Sequence, residues 1–174
     1  MDRAKAVCHF ALLLIFCSVL MLSETSLAQF GTDRVHNPPA NVLFIYGSAA
    51  HAIAIDVGVI ETLPQLHVRG TNSANNKSET YAGVPLKDLL ARAGVGTAES
   101  LTFVAVGKDG NRVPLSSAET EAIFHDENRI IVADAMNGKR LDASSGPLVL
   151  IFSDKNGSLQ AVRNLARIQV NTAK

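Results

Sequence analysis

The chain has 174 residues and a formal net charge of zero, because its 16 basic side chains are balanced by 16 acidic ones. Balanced charge gives no electrostatic reason to expect binding to nucleic acid or to an anionic membrane surface. A domain of about 150 residues buries enough surface to fold on packing alone, without disulfide bonds or a structural metal.

The N-terminus has the layout of a secretory signal peptide over residues 1–28. Arg3 and Lys5 form a basic start, an apolar run without charges extends from Phe10 to Leu22, and small residues stand at Ser26 and Ala28. The run is shorter than the roughly 20 apolar residues of a transmembrane helix, and its flanks are those of a cleaved signal. We therefore predict cleavage after Ala28 and a periplasmic or secreted protein, with no membrane span after cleavage.

Cleavage would also remove both cysteines, Cys8 and Cys17. The mature chain is then expected to contain neither a thiol nor a disulfide bond. Residues 29–41 include Gly31, Pro38 and Pro39 and show no apolar period, so they are predicted to form a flexible leader. Residues 42–174 remain as one domain.

The first part of this domain is predicted to be mostly extended. Val42–Tyr46 is an apolar, β-branched run typical of a strand. Ala52–Val59 is ambiguous, with Asp56 placed to cap a short helical turn that would run to Leu63 and stop at Pro64. Leu66–Arg69 again looks extended. Gly70–Thr80 is polar throughout, which predicts a long loop, and such loops tend to be functional or disordered.

The clearest helix follows this polar stretch. Pro85 suits a first helical turn, and Gly94 stands where a C-terminal cap belongs. Apolar side chains recur between them at helical spacing, at Leu86, Leu89, Leu90 and Ala93.

The remaining third of the chain alternates short apolar runs with turn signals. Ser116 and Glu119 have the spacing of a capping box, which predicts a short helix ending near Phe124. Short strands are predicted over residues 101–106, 112–115, 130–135, 148–152, 159–163 and 168–170, with turns at Asp109–Gly110, Asn137–Gly138 and Asn156–Gly157. Many short strands and few short helices, without a βαβ rhythm, indicate an α+β fold.

No catalytic constellation stands out from the residues themselves. The histidines downstream of the signal have no metal-binding spacing and are interpreted as surface or internally satisfied side chains: His36, His51, His67 and His125. Gly47–Ala50 lacks the second glycine of a nucleophile elbow.

Four motifs nevertheless occur in an order typical of one family. Residues 83–94 read GVPLKDLLARAG, and Asp109–Gly110 is followed by Val113–Leu115. Met136–Gly138 then precedes Gly146–Leu148, and Arg163 precedes the last strand. Over about residues 42–170 the chain resembles the sulfite-oxidase-type molybdopterin-binding oxidoreductase domain. The resemblance implies a sulfite-oxidase-like α+β fold and, in the family, a molybdenum cofactor.

The chain departs from the family at the positions that would hold that cofactor. The resemblance implies a cysteine thiolate on molybdenum in the loop before the GVPL motif, and residues 70–80 contain no cysteine. A histidine and an arginine that are usual in the family correspond to Ser145 and Val149. The usual tyrosine after Asp-Gly corresponds to Asn111, and the usual tryptophan near the C-terminus corresponds to Asn164.

We therefore expect an exported single-domain family member without molybdenum, which binds a small anionic ligand or a periplasmic partner protein. Six side chains are the candidates for the wall of its ligand pocket: Arg69, Asn72, Asn75, Asp109, Arg112 and Arg163. One alternative is an active molybdopterin-dependent oxidoreductase with a serine oxygen, from Ser73 or Ser78, on the metal. Another is an accessory subunit of a periplasmic redox or sensory system.

Overall fold

The computed structural model describes residues 41–96, 101–125, 129–142, 144–153 and 156–172. The predicted signal peptide and all of the predicted leader except Asn41 lie outside the described residues. The strands are β1 (Val42–Gly47), β2 (Ile53–Asp56), β3 (Leu66–Asn72), β4 (Lys77–Pro85), β5 (Leu101–Gly107), β6 (Arg112–Pro114), β7 (Ile130–Met136), β8 (Lys139–Arg140), β9 (Val149–Ser153), β10 (Ser158–Val162) and β11 (Leu165–Thr172). The helices are α1 (Val57–Thr62), α2 (Leu86–Arg92) and α3 (Ser117–Phe124).

The structure confirms the predicted helix caps, which depend on residues close together in the sequence. The ambiguous segment contains both elements, strand β2 and then helix α1, and Asp56 Oδ1 caps the helix by accepting a hydrogen bond from the Gly58 amide at 2.7 Å. The capping box at the start of α3 is formed by Ser116 and Glu119. Gly94, just after α2, adopts the left-handed conformation with φ of +70°.

The prediction of a long loop over Gly70–Thr80 is wrong. Most of that stretch is paired in a β-hairpin, β3–β4, and only residues 73–76 form the turn. Side-chain carbonyls close the turn, because Asn72 Oδ1 accepts from the Ala74 amide at 2.9 Å and Asn75 Oδ1 accepts from the Lys77 amide at 3.0 Å. Polar composition alone could not distinguish a solvated loop from a hairpin whose asparagines satisfy its backbone.

The described strands form two sheets. One has five strands in the order β2-β1-β11-β5-β6, with β1 and β11 parallel. The other has the order β4-β3-β10-β9-β7-β8, and β4 also pairs with β7. Five strands therefore close into a small barrel, in the order β3, β10, β9, β7 and β4. Among the described strands, β8 pairs only with β7 and lies outside the barrel.

Two groups of buried side chains correspond to these sheets. The larger one lies between the inner face of the five-stranded sheet, the helices and the outside of the barrel. The smaller one fills the barrel and consists of Tyr81, Ile131, Ala133, Val149, Ile151 and Leu159. Side chains alternate along each strand, so neighbouring residues of β7 and β9 serve different cores. No helix among the described residues is long and apolar enough to cross a membrane.

Candidate functional site

The β3–β4 hairpin, whose two strands belong to the barrel, carries a buried carboxylate. Glu79 is only 7% exposed. Its Oε2 accepts hydrogen bonds from Asn72 Nδ2 and from the Tyr81 hydroxyl, both at 2.8 Å. Its Oε1 accepts a third from Asn75 Nδ2 at 3.0 Å. We call these four residues the Glu79 cluster.

Strand alternation explains why this cluster forms at the end of the barrel. Glu79 lies two residues before Tyr81 on β4, so both side chains point to the same side of the strand. Tyr81 belongs to the barrel core and is 4% exposed. Asn72 closes the cluster from the neighbouring strand β3 and is itself 6% exposed. The cluster therefore forms a polar plug on an apolar barrel interior.

The cluster lowers the pKa of one of its acidic groups and raises the pKa of the other. Burial opposes ionisation of Glu79, but hydrogen bonds from Asn75, Asn72 and Tyr81, with the positive charge of Arg163, outweigh it and lower the pKa of the carboxyl group. Burial, the hydrogen bond to Glu79 and the negative charge of Glu79 raise the pKa of Tyr81 to about 12. At neutral pH the plug therefore consists of a carboxylate anion and a neutral phenol.

Two of the six predicted pocket residues belong to this cluster, and the charge of a third acts on it. Asn72 and Asn75 are members of it, and the charge of Arg163, between β10 and β11, acts on Glu79 and Tyr81. Asp109 lies in the turn before β6, where its Oδ1 accepts from the Asn111 amide at 3.0 Å. That turn is next to Arg163, because the Lys108 amide donates to the Asn164 carbonyl at 2.8 Å.

The other two predicted residues lie elsewhere. Arg69 is exposed on the opposite side of β3 from Asn72, and its Nε lies 3.5 Å from Ser78 Oγ. Arg112 lies on the five-stranded sheet and donates from Nη2 to Gln169 Oε1 at 2.5 Å. The six residues do not form one continuous wall.

Sequence reasoning missed Glu79 and Tyr81, which hold the centre of the cluster. The usable signal was the spacing of two between them, which places both side chains on the apolar side of β4. The interpretation of residues 70–80 as a loop removed that signal, because side-chain alternation has meaning only in a strand.

A separate cleft of about 260 Å³ opens between α1 and the β7–β8 hairpin. The ion pair between Glu61 and Arg140 lies at this cleft. Burial is the main cause that raises the pKa of Asp134, with the charge of Glu61 adding to it. None of the six predicted pocket residues lines this cleft, whose lining is Asn41, Asp56, Val57, Gly58, Glu61, Asp134, Arg140, Leu141 and Pro147.

The sequence model of the family described as the oxidoreductase molybdopterin binding domain matches residues 60–174. The chain belongs to this family. No curated protein matches the chain. Among solved structures it is similar to the sulfane dehydrogenase SoxCD from Paracoccus pantotrophus, with a TM-score of 0.58 and 20% sequence identity. The match covers 75% of this chain but only 38% of that chain, and at this identity it shows the fold alone. The predicted family and the α+β sulfite-oxidase-like fold are thus confirmed.

The residues of the hairpin do not fit a molybdenum centre held by a thiolate. Both cysteines of the chain precede the domain, at positions 8 and 17. No group of three or more histidine, cysteine, aspartate and glutamate side chains in the described ranges is arranged to hold a metal ion. The positive charge of Arg163 acts on Glu79 and helps to lower the pKa of that carboxyl group.

Proposed function

We propose that this protein is an exported member of the molybdopterin-binding family that works without molybdenum, as a binding module for a small ligand or a partner protein. The observation that supports the proposal most directly is the Glu79 cluster. It occupies the hairpin to which the family resemblance assigns the metal-ligand cysteine, and its polar groups satisfy one another. Export rests on the signal-peptide layout of residues 1–28.

The alternative of an oxygen ligand from the same hairpin has less support. Ser73 Oγ donates to the Leu159 carbonyl at 3.0 Å, which ties the turn to β10. Ser78 Oγ lies 3.5 Å from Arg69 Nε. Either serine would have to leave its present partner to reach a metal, and neither oxygen is a soft ligand of the kind that a thiolate provides.

The fold can serve binding after its chemistry is lost, because function depends on the site and not on the fold. The cleft at α1 has a volume of about 260 Å³. This lies just below the range of about 300–1,000 Å³ that is usual for ligand pockets. The cleft would therefore admit only a small molecule, and a larger partner would have to dock on another surface.

The proposal is tested by the cofactor content of protein made in a host with abundant molybdopterin. After gel filtration, molybdenum is measured by mass spectrometry and pterin by fluorescence of its oxidised form. We expect colourless protein with far less than one molybdenum atom per chain. A family member that retains its cysteine, produced in the same host, is the positive control. Stoichiometric molybdenum that survives gel filtration would overturn the proposal and restore the oxidoreductase.

A further inference from the structure

The five-stranded sheet has an inner face in the main core and an outer face turned away from it. Leu43, Ile45, Phe103, Ile168 and Val170 point inward and are completely buried. The side chains between them in sequence point the other way. We call the following six the outer face: Phe44, Tyr46, Val104, Arg112, Arg167 and Gln169.

Two arginines stand in one row across this face. Arg112 on β6 is opposite Val106 on β5, and Val106 is opposite Arg167 on β11. Strands are about 4.8 Å apart, so the two arginine backbones are separated by roughly 10 Å. Val106 belongs to neither hydrophobic core and yet is only 2% exposed. Val106 lies between the two arginines in this row, and the aliphatic stem of an arginine can lie along an apolar neighbour.

The two guanidinium groups are held differently. Arg112 donates to Gln169 Oε1, which also accepts from the Tyr46 hydroxyl at 3.4 Å. Gln169 in turn donates to Asn171 Oδ1 at 2.9 Å. Arg167 is half-buried, and its Nε is shielded from solvent without a hydrogen-bond partner in the described part of the chain. A buried Nε without an acceptor is unusual, because buried polar groups are nearly always paired.

The described part of the outer face supplies no carboxylate to either arginine. Asp56 points to this side of the sheet but lies on the far edge strand β2, opposite Val42, and caps α1. Asp109 is engaged with the Asn111 amide. The face therefore presents two positive charges beside aromatic and apolar side chains. Its complement is a surface that carries carboxylates.

The edge of the sheet favours contact through side chains over the addition of a strand. Strand β6 forms this edge and has only three residues, Arg112–Pro114. Pro114 has no amide hydrogen to donate, and short edge strands with proline resist pairing with another chain.

We propose that the outer face docks an acidic segment of a partner protein, whose carboxylates pair with Arg167 and Arg112 while Phe44 and Tyr46 pack against it. Guanidinium–carboxylate pairs are strong and can be bidentate, and two arginines in one row can pair with successive carboxylates of one segment. The inference deepens the proposed binding function by naming the chemistry of the partner. It requires neither the presence nor the absence of a cofactor.

The test uses the purified protein and fluorescein-labelled decaglutamate, with binding followed by fluorescence anisotropy. We expect saturable binding that weakens as salt is raised, and no binding of decaglutamine. Arg167→Gln and Arg112→Gln should each weaken binding about tenfold, the effect of losing a charge-assisted hydrogen bond. Arg167→Lys keeps the charge without the planar fork and should lie between Arg167→Gln and the unchanged protein.

Arg92→Gln is the matched control, because it removes the same charge from an exposed position on α2. Equal losses in this control, absence of decaglutamate binding, or equal competition by free glutamate at matched carboxylate concentration would overturn the inference. If Arg167→Gln fails to fold by circular dichroism, Arg112→Gln at the exposed edge decides the question. The two proposals can fail separately. Bound molybdenum together with specific decaglutamate binding would refute the cofactor-free proposal and support this docking surface. Metal-free protein that does not bind decaglutamate would refute the docking surface and support the cofactor-free proposal.

Discussion

Glu79 and Tyr81 show how two neighbouring side chains set each other's ionisation. The hydrogen bond between them, at 2.8 Å, favours the carboxylate and the neutral phenol together. Burial works against the charged form of both groups, but Glu79 has three donors to compensate for it and Tyr81 has none. The result is one anion held inside a polar plug.

The raised pKa of Tyr81 can be measured directly. The chain contains no tryptophan and two tyrosines, so Tyr46→Phe leaves Tyr81 as the single phenol in an absorbance titration. We expect a midpoint of about 12, against the usual value of 10.0. Glu79→Gln in the same background should lower the midpoint, since it removes the negative charge and the hydrogen bond that favour the neutral form. A midpoint unaffected by Glu79→Gln would contradict the coupling.

The raised pKa of Tyr81 also determines how the stability of the protein changes with pH. The folded protein holds the Tyr81 proton more tightly than the unfolded chain does. Its contribution to the free energy of unfolding is therefore fully present below pH 10 and is lost as the pH rises through 12. The free energy of unfolding is measured with denaturant at pH 10 and at pH 12, beside the titration. The comparison shows whether Tyr81 ionises before the fold is lost.

Among the elements, closure of the barrel depends on how closely β4 approaches β7. Gly83 is opposite Ala133 at a shift in the pairing register. A methyl group at Gly83 would overlap the Val132 carbonyl oxygen and would crowd Ala133 Cα, so the two strands could not keep their present spacing. This glycine is required by close backbone contact and has no left-handed φ to explain it.

Gly83→Ala should therefore destabilise the protein by about 1–3 kcal/mol, the usual cost of overpacking. The measurement is the free energy of unfolding in urea. Gly96→Ala is the matched control, because nothing lies within 4 Å of the position that its methyl group would take. Equal stability of the two variants would mean that β4 does not close the barrel against β7.

For the molecule as a whole, the position of the cysteines means that removal of the signal peptide would also remove every thiol that could bind molybdenum. Export with cleavage would leave a chain whose only sulfur belongs to methionine, because both cysteines precede residue 28. A neutral thioether is a poor replacement for a thiolate on molybdenum. A cleaved signal and a metal-free domain are therefore consistent with each other.

Protein recovered from the exported fraction of its host should begin near Gln29 and should not react with thiol reagents. Mass spectrometry of the intact chain gives the N-terminus, and a maleimide reagent gives the thiol count under denaturing conditions. Exported protein that retains Cys8 and Cys17 would show that the signal peptide is not removed.

Local sequence signals were sufficient for most elements, because they depend on residues a few positions apart. The apolar spacing of α2, the capping box at Ser116 and the asparagine–glycine turns all belong to this class. The order of the four motifs likewise indicates the family, and the family match over residues 60–174 confirms it. These features are written within single segments of chain.

Pairings between distant segments decided the sites, and no local pattern specifies them. The bond from Tyr46 to Gln169 joins residues 123 positions apart, and the parallel pairing of β1 with β11 brings them together. The same long-range registers separate Arg112 from Asn72 and place Arg112 in a row with Arg167. Burial of Glu79 depends in the same way on the closed barrel beneath it. Registers of this kind are set by the joint packing of both faces of each sheet, which exists only in the folded chain.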